Sequence, residues 1–463
     1  MVFSTLVFMF MYLPIVLAVY YLLPFRYRNF FLFLASLFFY GWGEPVYIVL
    51  MLVTITVNYV SGLLVARNRD DDKKARRIVA VSTVISLAFL VYFKYTDMLI
   101  GSFNSITGAR VPLLGLALPV GISFYTFQTM TYPIDVYRGD AEAQKSYVSF
   151  GAYVALSPQL IAGPIVCYKD IAKQLNEREH SVSKFASGVE RFTVGLCKKV
   201  LIANGIGSLW DSYAAMSSAE LSAGGAWLGA VAFSLQIYYD FSGYSDMAIG
   251  MGRMMGFEFL ENFNYPYISA SVTEFWRRWH ISLGTWFRDY VYIPLGGNRR
   301  GLPRQLLNLL IVWGLTGLWH GANWTFLLWG LYFALFLIIE KLFLLKWLDK
   351  HKAVGHIYAV IVAVCGWVIF QLDSVKEAFS YYKAMFGLGS ASWGTGDLFL
   401  LRSYLPVLIV AIAASTPLLK KLWQRIPEKP RQLLSPVLIL LGLLLCTAKL
   451  TNDTYNPFLY FRF

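Results

Sequence analysis

Apolar runs recur from one end of the chain to the other, several of them about twenty residues long, the length a helix needs to cross about 30 Å of hydrocarbon. The pattern predicts helices at about Phe3–Leu23, Phe30–Tyr40, Val46–Ala66, Ile78–Phe93, Leu113–Tyr132 and Tyr147–Val166. Further runs lie at Ala226–Phe257, Leu306–Trp319, Trp324–Ile339, Ile357–Phe370, Leu398–Leu418 and Leu433–Thr447. Polar inserts modify three of them. Pro119-Val120-Gly121 predicts a break in Leu113–Tyr132, and Ser157-Pro158-Gln159 through Gly163-Pro164 predicts another in Tyr147–Val166. Such breaks are tolerated at membrane depth where they face protein or a water-filled cavity. The third insert, Tyr239-Asp240-Phe241-Ser242-Gly243-Tyr244-Ser245-Asp246, puts two carboxylates inside an apolar run. Tyr168–Lys199 mixes charge with apolar residues and is predicted to lie at the interface.

Of the 463 residues 57% are hydrophobic and only 14% charged, too little charge to cover a soluble protein of this length. The fold class is therefore all-α: a polytopic integral membrane protein, read as one domain over 1–463, whose first partner is the lipid bilayer. The net charge of +13 does not indicate nucleic acid, because the basic residues sit in short loops between apolar runs. The loops holding Arg26 and Arg28, Arg67–Arg77, Arg277–Arg304, Lys346–Lys352 and Lys420–Arg431 fall on one side if each run crosses once. Lys/Arg excess makes that side cytoplasmic and places both termini outside. The first run lacks a basic leader and a cleavage site, so it is expected to stay as a helix. The four cysteines lie far apart and show no metal-ligand spacing, and no metal site is expected. His180, in Glu177-Arg178-Glu179-His180-Ser181, is expected to be a solvated loop histidine, and His351 and His356 ordinary residues of a basic interface.

The candidate chemistry gathers in Glu274–Phe326. Leu306–Trp319 climbs from the basic side at about 1.5 Å per residue, which puts His320 roughly 20 Å inward. An ionisable residue held that deep is a functional-site candidate by default. Neutral imidazole suits the task of taking a hydroxyl proton, and burial among apolar residues favours the neutral form. Trp319 and Asn323 flank it, and Asn323 is a candidate donor to an oxyanion. Arg277, Arg278 and Arg288, interleaved with tryptophan and tyrosine, either anchor an interface or bind phosphates of an anionic donor. Asp240, Ser242 and Asp246 either contact substrate or form a buried hydrogen-bond network that fixes helix packing.

The pairing of FWRRWHISLGTWFRDYVYIPLGGN with LWHGANWTF, preceded by YYDFSGYSDMAIG, resembles the membrane-bound O-acyltransferase family. The likeness is nearest to its bacterial branch that O-acetylates extracellular polysaccharides such as alginate, and it runs over nearly the whole chain. It implies a ring of tilted helices around a central funnel, where a tunnel lets a cytoplasmic acyl donor meet an acceptor from outside. It identifies His320 with the family's invariant histidine and His280, in Arg277-Arg278-Trp279-His280, with a second histidine about forty residues upstream. His280 is either catalytic or a positioning group.

The resemblance further implies acetyl-CoA as donor substrate, with no tightly bound cofactor. The final acceptor would be a polysaccharide hydroxyl, reached through an extracytoplasmic acyltransferase partner of SGNH type. The aromatic tail 450–463, ending Asn456-Pro457-Phe458-Leu459-Tyr460-Phe461-Arg462-Phe463, is similar to the closing motif of a small peptide that partners a D-alanylating member of the family. Tyr460 is then either an acyl relay or an interfacial anchor. D-alanyl transfer to teichoic acid is an alternative, as is a polysaccharide or ion transporter using the same broken helices and aspartates. A transporter would be expected to show internal repeats, and none is evident.

Overall fold

Every named element of the computed structural model is a helix, and the structure describes residues 2–160, 163–217, 219–388, 391–452 and 458–459. Among the described residues seven helical segments are long and apolar enough to cross a membrane: Ile48–Arg67, Asp72–Thr107, Val182–Ala214, Trp324–Lys350, Lys352–Gln371, Thr395–Ala414 and Glu428–Asn452. On the last of these Leu433, Val437, Leu441 and Leu445 are all exposed, as lipid-facing positions should be. The Leu302–His320 helix is not among the seven, since it carries Arg304, Gln305 and Asn308 in its first turns.

The chain divides into two compact units. The first comprises Met1–Phe192 with Ser245–Leu260, the second Thr193–Tyr244 with Glu261–Phe463.

In the first unit, helices Phe25–Gly43, Ile48–Arg67, Asp72–Thr107, Ile122–Arg138 and Tyr147–Ala155 follow the apolar runs, with two departures. Ile78–Phe93 grows to Asp72–Thr107: the Asp71 carboxylate caps its start by accepting from Lys74 N at 3.0 Å, and Gly108, with a left-handed φ, closes its end by donating to Asn104 O. Leu113–Tyr132 loses its first half: Pro112 and Pro119 cannot donate, Gly115 and Gly121 take positive φ, and the helix begins at Ile122. The irregular stretch before it is held by Asp97, whose carboxylate oxygens accept from Leu114 N and Gly115 N at 2.7 and 3.0 Å. His180 is not a solvated loop residue: it is half-buried, with Nε2 2.8 Å from the Tyr20 hydroxyl and 3.2 Å from Arg28 Nη1. Nor is Tyr168–Lys199 purely interfacial, because Val182–Cys197 continues through a wider turn at Lys198–Ala203 into Asn204–Ala214.

In the second unit the hairpin of Leu302–His320 and Trp324–Ile339 is closed at backbone contact. A Cβ on Gly317 would sit 2.2 Å from Phe326 O, and one on Gly330 would sit 2.2 Å from Trp313 O. Without a hydrophobic drive between helices in lipid, small residues that let backbones meet are what holds such a pair. Gly317→Ala and Gly330→Ala should therefore each cost about 1–3 kcal/mol, since a backbone carbonyl cannot yield as a side chain can. Gly314→Ala on the same helix, with Leu327 Cδ1 3.7 Å from the new methyl, is the tolerated control. Thermal unfolding in detergent should separate the first two variants from the third.

Candidate active site

His320 closes the Leu302–His320 helix at 4% exposure. Aromatic rings meet it edge-on, among them Trp329 at 5.0 Å between centroids, Trp319 at 5.1 Å and Phe370 at 5.3 Å. Trp329 is presented beside Gly330, so the glycine crossing that closes the hairpin also sets one wall of this box. Asn323 begins the next helix, its Oδ1 accepting from Thr325 N at 3.2 Å while its Nδ2 donates to Asp373 O at 2.8 Å.

His280 sits at the joint of two short helices, Val272–Arg278 and Ile281–Phe287, with the left-handed φ of +45° that lets the chain turn between them. Asn262 holds that joint. Its Oδ1 takes hydrogen bonds from Ser282 N at 3.2 Å and Ser282 Oγ at 2.9 Å, its backbone oxygen takes one from Ile281 N, and His280 Nδ1 lies 3.2 Å from the same Oδ1. An atom that accepts a backbone N–H must be the amide oxygen, so His280 donates through Nδ1 and carries its free lone pair on Nε2. Nε2 is buried with no hydrogen-bond partner among the described residues. Burial pulls the imidazole down to about 3, so it is neutral across the physiological range. Phe241 meets the ring at 4.7 Å and Trp319 at 5.9 Å; both histidines therefore touch Trp319.

A second carboxylate braces this joint from a distance in sequence. Glu340, 1% exposed, accepts from Val272 N at 2.6 Å, Thr273 N at 2.8 Å and Thr273 Oγ1 at 2.6 Å, capping the Val272–Arg278 helix. Asn262 and Glu340 carry no local signal, because their partners are 18–20 and 67–68 residues away. Trp329 and Phe370 were equally hidden within apolar runs.

The remaining candidates occupy distinct surroundings. Asp240, 1% exposed, pairs with Lys199, and Ser242 is buried with its hydroxyl unpartnered, both in the second unit. Asp246 belongs to the first unit, where Arg191 Nε and Nη2 reach its Oδ1 at 2.8 and 2.6 Å. Arg277 is exposed, Arg278 pairs with Glu274 at 2.8 Å, and Arg288 pairs with Asp289 at 2.7 Å. Tyr460 lies outside the described residues. Among the described residues no group of His, Cys, Asp and Glu is placed to hold a metal ion.

The model of the membrane-bound O-acyltransferase family matches residues 114–375, a span that includes both histidines. The chain is 45% identical over 403 residues to a probable alginate O-acetylase of Azotobacter vinelandii, covering 86% of this chain and 80% of that one. A probable alginate O-acetylase of Pseudomonas putida is 41% identical with both chains covered in full. A peptidoglycan O-acetyltransferase of Helicobacter pylori is 32% identical over 85% of this chain and 81% of its own.

The depressed His280 makes a signed prediction. Unfolded, the imidazole titrates at 6.5, and folded at about 3. As pH falls between those values the unfolded chain takes up a proton that the folded chain refuses, so this group lowers stability progressively over that window. Acid unfolding of the wild type in detergent should be steeper there than that of His280→Gln. Equal slopes would show that the ring is not held neutral by burial.

Proposed function

This chain belongs to the membrane-bound O-acyltransferase family, and from that membership we propose that it carries an acetyl group from cytoplasmic acetyl-CoA to hydroxyls of a polysaccharide outside the membrane. That it is a multi-pass membrane acyltransferase follows from the family and the apolar helices. The acetyl group and the polysaccharide acceptor are supported by relatives named for O-acetylation of alginate and of peptidoglycan. The basic loops favour donor entry from the cytoplasm, with both termini on the opposite side.

The observation that carries the chemistry is the pair of buried imidazoles sharing Trp319. Acyl transfer requires the acceptor oxygen to attack the thioester carbonyl while its proton leaves. His320 takes that proton, the tetrahedral intermediate collapses with cleavage of the C–S bond, and the departing thiolate recovers the proton from the imidazolium. The aromatic walls keep water from competing as acceptor. His280, neutral and aimed by Asn262, offers Nε2 as a second acceptor of hydrogen bonds within the same aromatic cluster. Asn323 is the proposed donor to the oxyanion, and Arg277, Arg278 and Arg288 the proposed contacts for the phosphates of the donor.

The first acceptor in this reading is the Tyr460 phenol, which then passes the acetyl group to an SGNH-type acyltransferase partner outside.

Purified protein with radiolabelled acetyl-CoA tests both steps. His320→Ala should lower thioester cleavage by about 10²–10⁴-fold, the range of general-base catalysis. Unchanged cleavage would remove His320 from the chemistry. Label should map to Tyr460 and vanish in Tyr460→Phe; full acetylation of the polysaccharide by that variant would eliminate the relay.

A further inference from the structure

The described end of the chain is tied to the middle of the Ala223–Met254 helix. Leu459 N–H donates to Asp240 Oδ2 at 2.9 Å. Phe458, 1% exposed, lays its ring against Tyr244 at 4.9 Å and Phe241 at 5.7 Å. The other oxygen of Asp240, Oδ1, is taken by Lys199 Nζ, with both side chains at or below 4% exposure. Each of these residues belongs to the second unit.

Local structure explains how the pair forms. Lys199 lies in the widened turn Lys198–Ala203, a local irregularity that often marks a functional site in a helix. A Cβ on Gly243 would stand 2.7 Å from Gly195 O, so the two helices run in backbone contact one turn from Asp240. That approach brings the ammonium to the carboxylate.

A buried ion pair is a poor device for stability alone, since apolar residues of similar volume do as well or better; its best-attested use is to fix register. Here the pair has a specific geometry to fix. Lysine neutralises the carboxylate and leaves one oxygen facing a backbone donor, while Phe241 and Tyr244 both meet the ring of Phe458. Phe241 also meets His280 at 4.7 Å, so the tail and the histidine share a wall.

We propose that the Lys199–Asp240 pair is the seat of the C-terminal tail, and that Asp240 is a positioning residue which sets the register of Phe458 and Leu459 against the wall shared with His280. The seat stands on contacts alone; its bearing on turnover rests on the acyl-transfer reading above.

Two double variants of the full-length protein in detergent separate the seat from bulk stability. Lys199→Gln with Asp240→Asn keeps an uncharged acceptor for Leu459. Lys199→Met with Asp240→Leu fills the same space, strands no charge and removes the acceptor. Carboxypeptidase trimming, read by mass spectrometry, reports the tail. Loss of a hydrogen bond to a charged group predicts trimming past Leu459 about tenfold or more faster in the Met/Leu variant, with the Gln/Asn variant close to wild type. Radiolabelled acetyl transfer should follow the same order through kcat, with KM for acetyl-CoA unchanged. Equal trimming of wild type and the Met/Leu variant would overturn the seat. Faster trimming with undiminished transfer would overturn the positioning role. If the wild type transfers no acetyl group at all, the acyl-transfer reading fails while trimming still decides the seat.

Discussion

Backbone contact between two helices at Gly317 and Gly330 is the constraint on which the candidate site depends. It brings the Leu302–His320 and Trp324–Ile339 helices close enough for His320 to lie against Trp329, and Phe370 completes the enclosure. Gly321 is part of the same arrangement: a Cβ there would strike the ring of Phe326, which itself packs on Phe370. The imidazole is thus positioned by packing at the end of a helix. A rigid box of this kind lets a base work without reorganising its surroundings during reaction.

Polar groups inside this protein are held in place by one another. Asn262 fixes the tautomer and direction of His280, Glu340 caps the helix that leads to it, and Lys199 and Asp240 neutralise each other. In the first unit Arg191 performs the same service for Asp246. Little water is available to such groups, so each pairing is expensive to break and effective at fixing geometry. The two carboxylates of the Tyr239–Asp246 insert accordingly differ in surroundings: one faces lysine and a backbone N–H, the other arginine.

Local features were legible in the sequence where local chemistry decides them. The start of the helix at Trp324 was legible because Asn323 caps it within the segment itself, whereas its end was not, since the helix runs on past Ile339 to Lys350. His320 and His280 stood out as polar residues in apolar or aromatic surroundings. The break at Pro119-Val120-Gly121 was legible and Ile122–Arg138 starts directly after it, but apolar content alone does not show that the half before the break is not helical, because Asp97 captures the backbone of Leu114 and Gly115. Val182–Cys197 looked interfacial because its charges were counted without their partners, among them Arg191 bound to Asp246. Asn262 and Glu340 were illegible for a related reason: each acts on residues distant in sequence, and neither sits in a distinctive local pattern.

The proposed acyl transfer passes through the protein from one face of the membrane to the other. It is tested most directly in proteoliposomes with labelled acetyl-CoA trapped inside and a polysaccharide acceptor with its acyltransferase partner outside. The account predicts that labelled acetyl groups accumulate on the external polysaccharide while CoA remains within the vesicle. Intact acetyl-CoA appearing outside, or acetylation only of acceptor sealed inside, would contradict it.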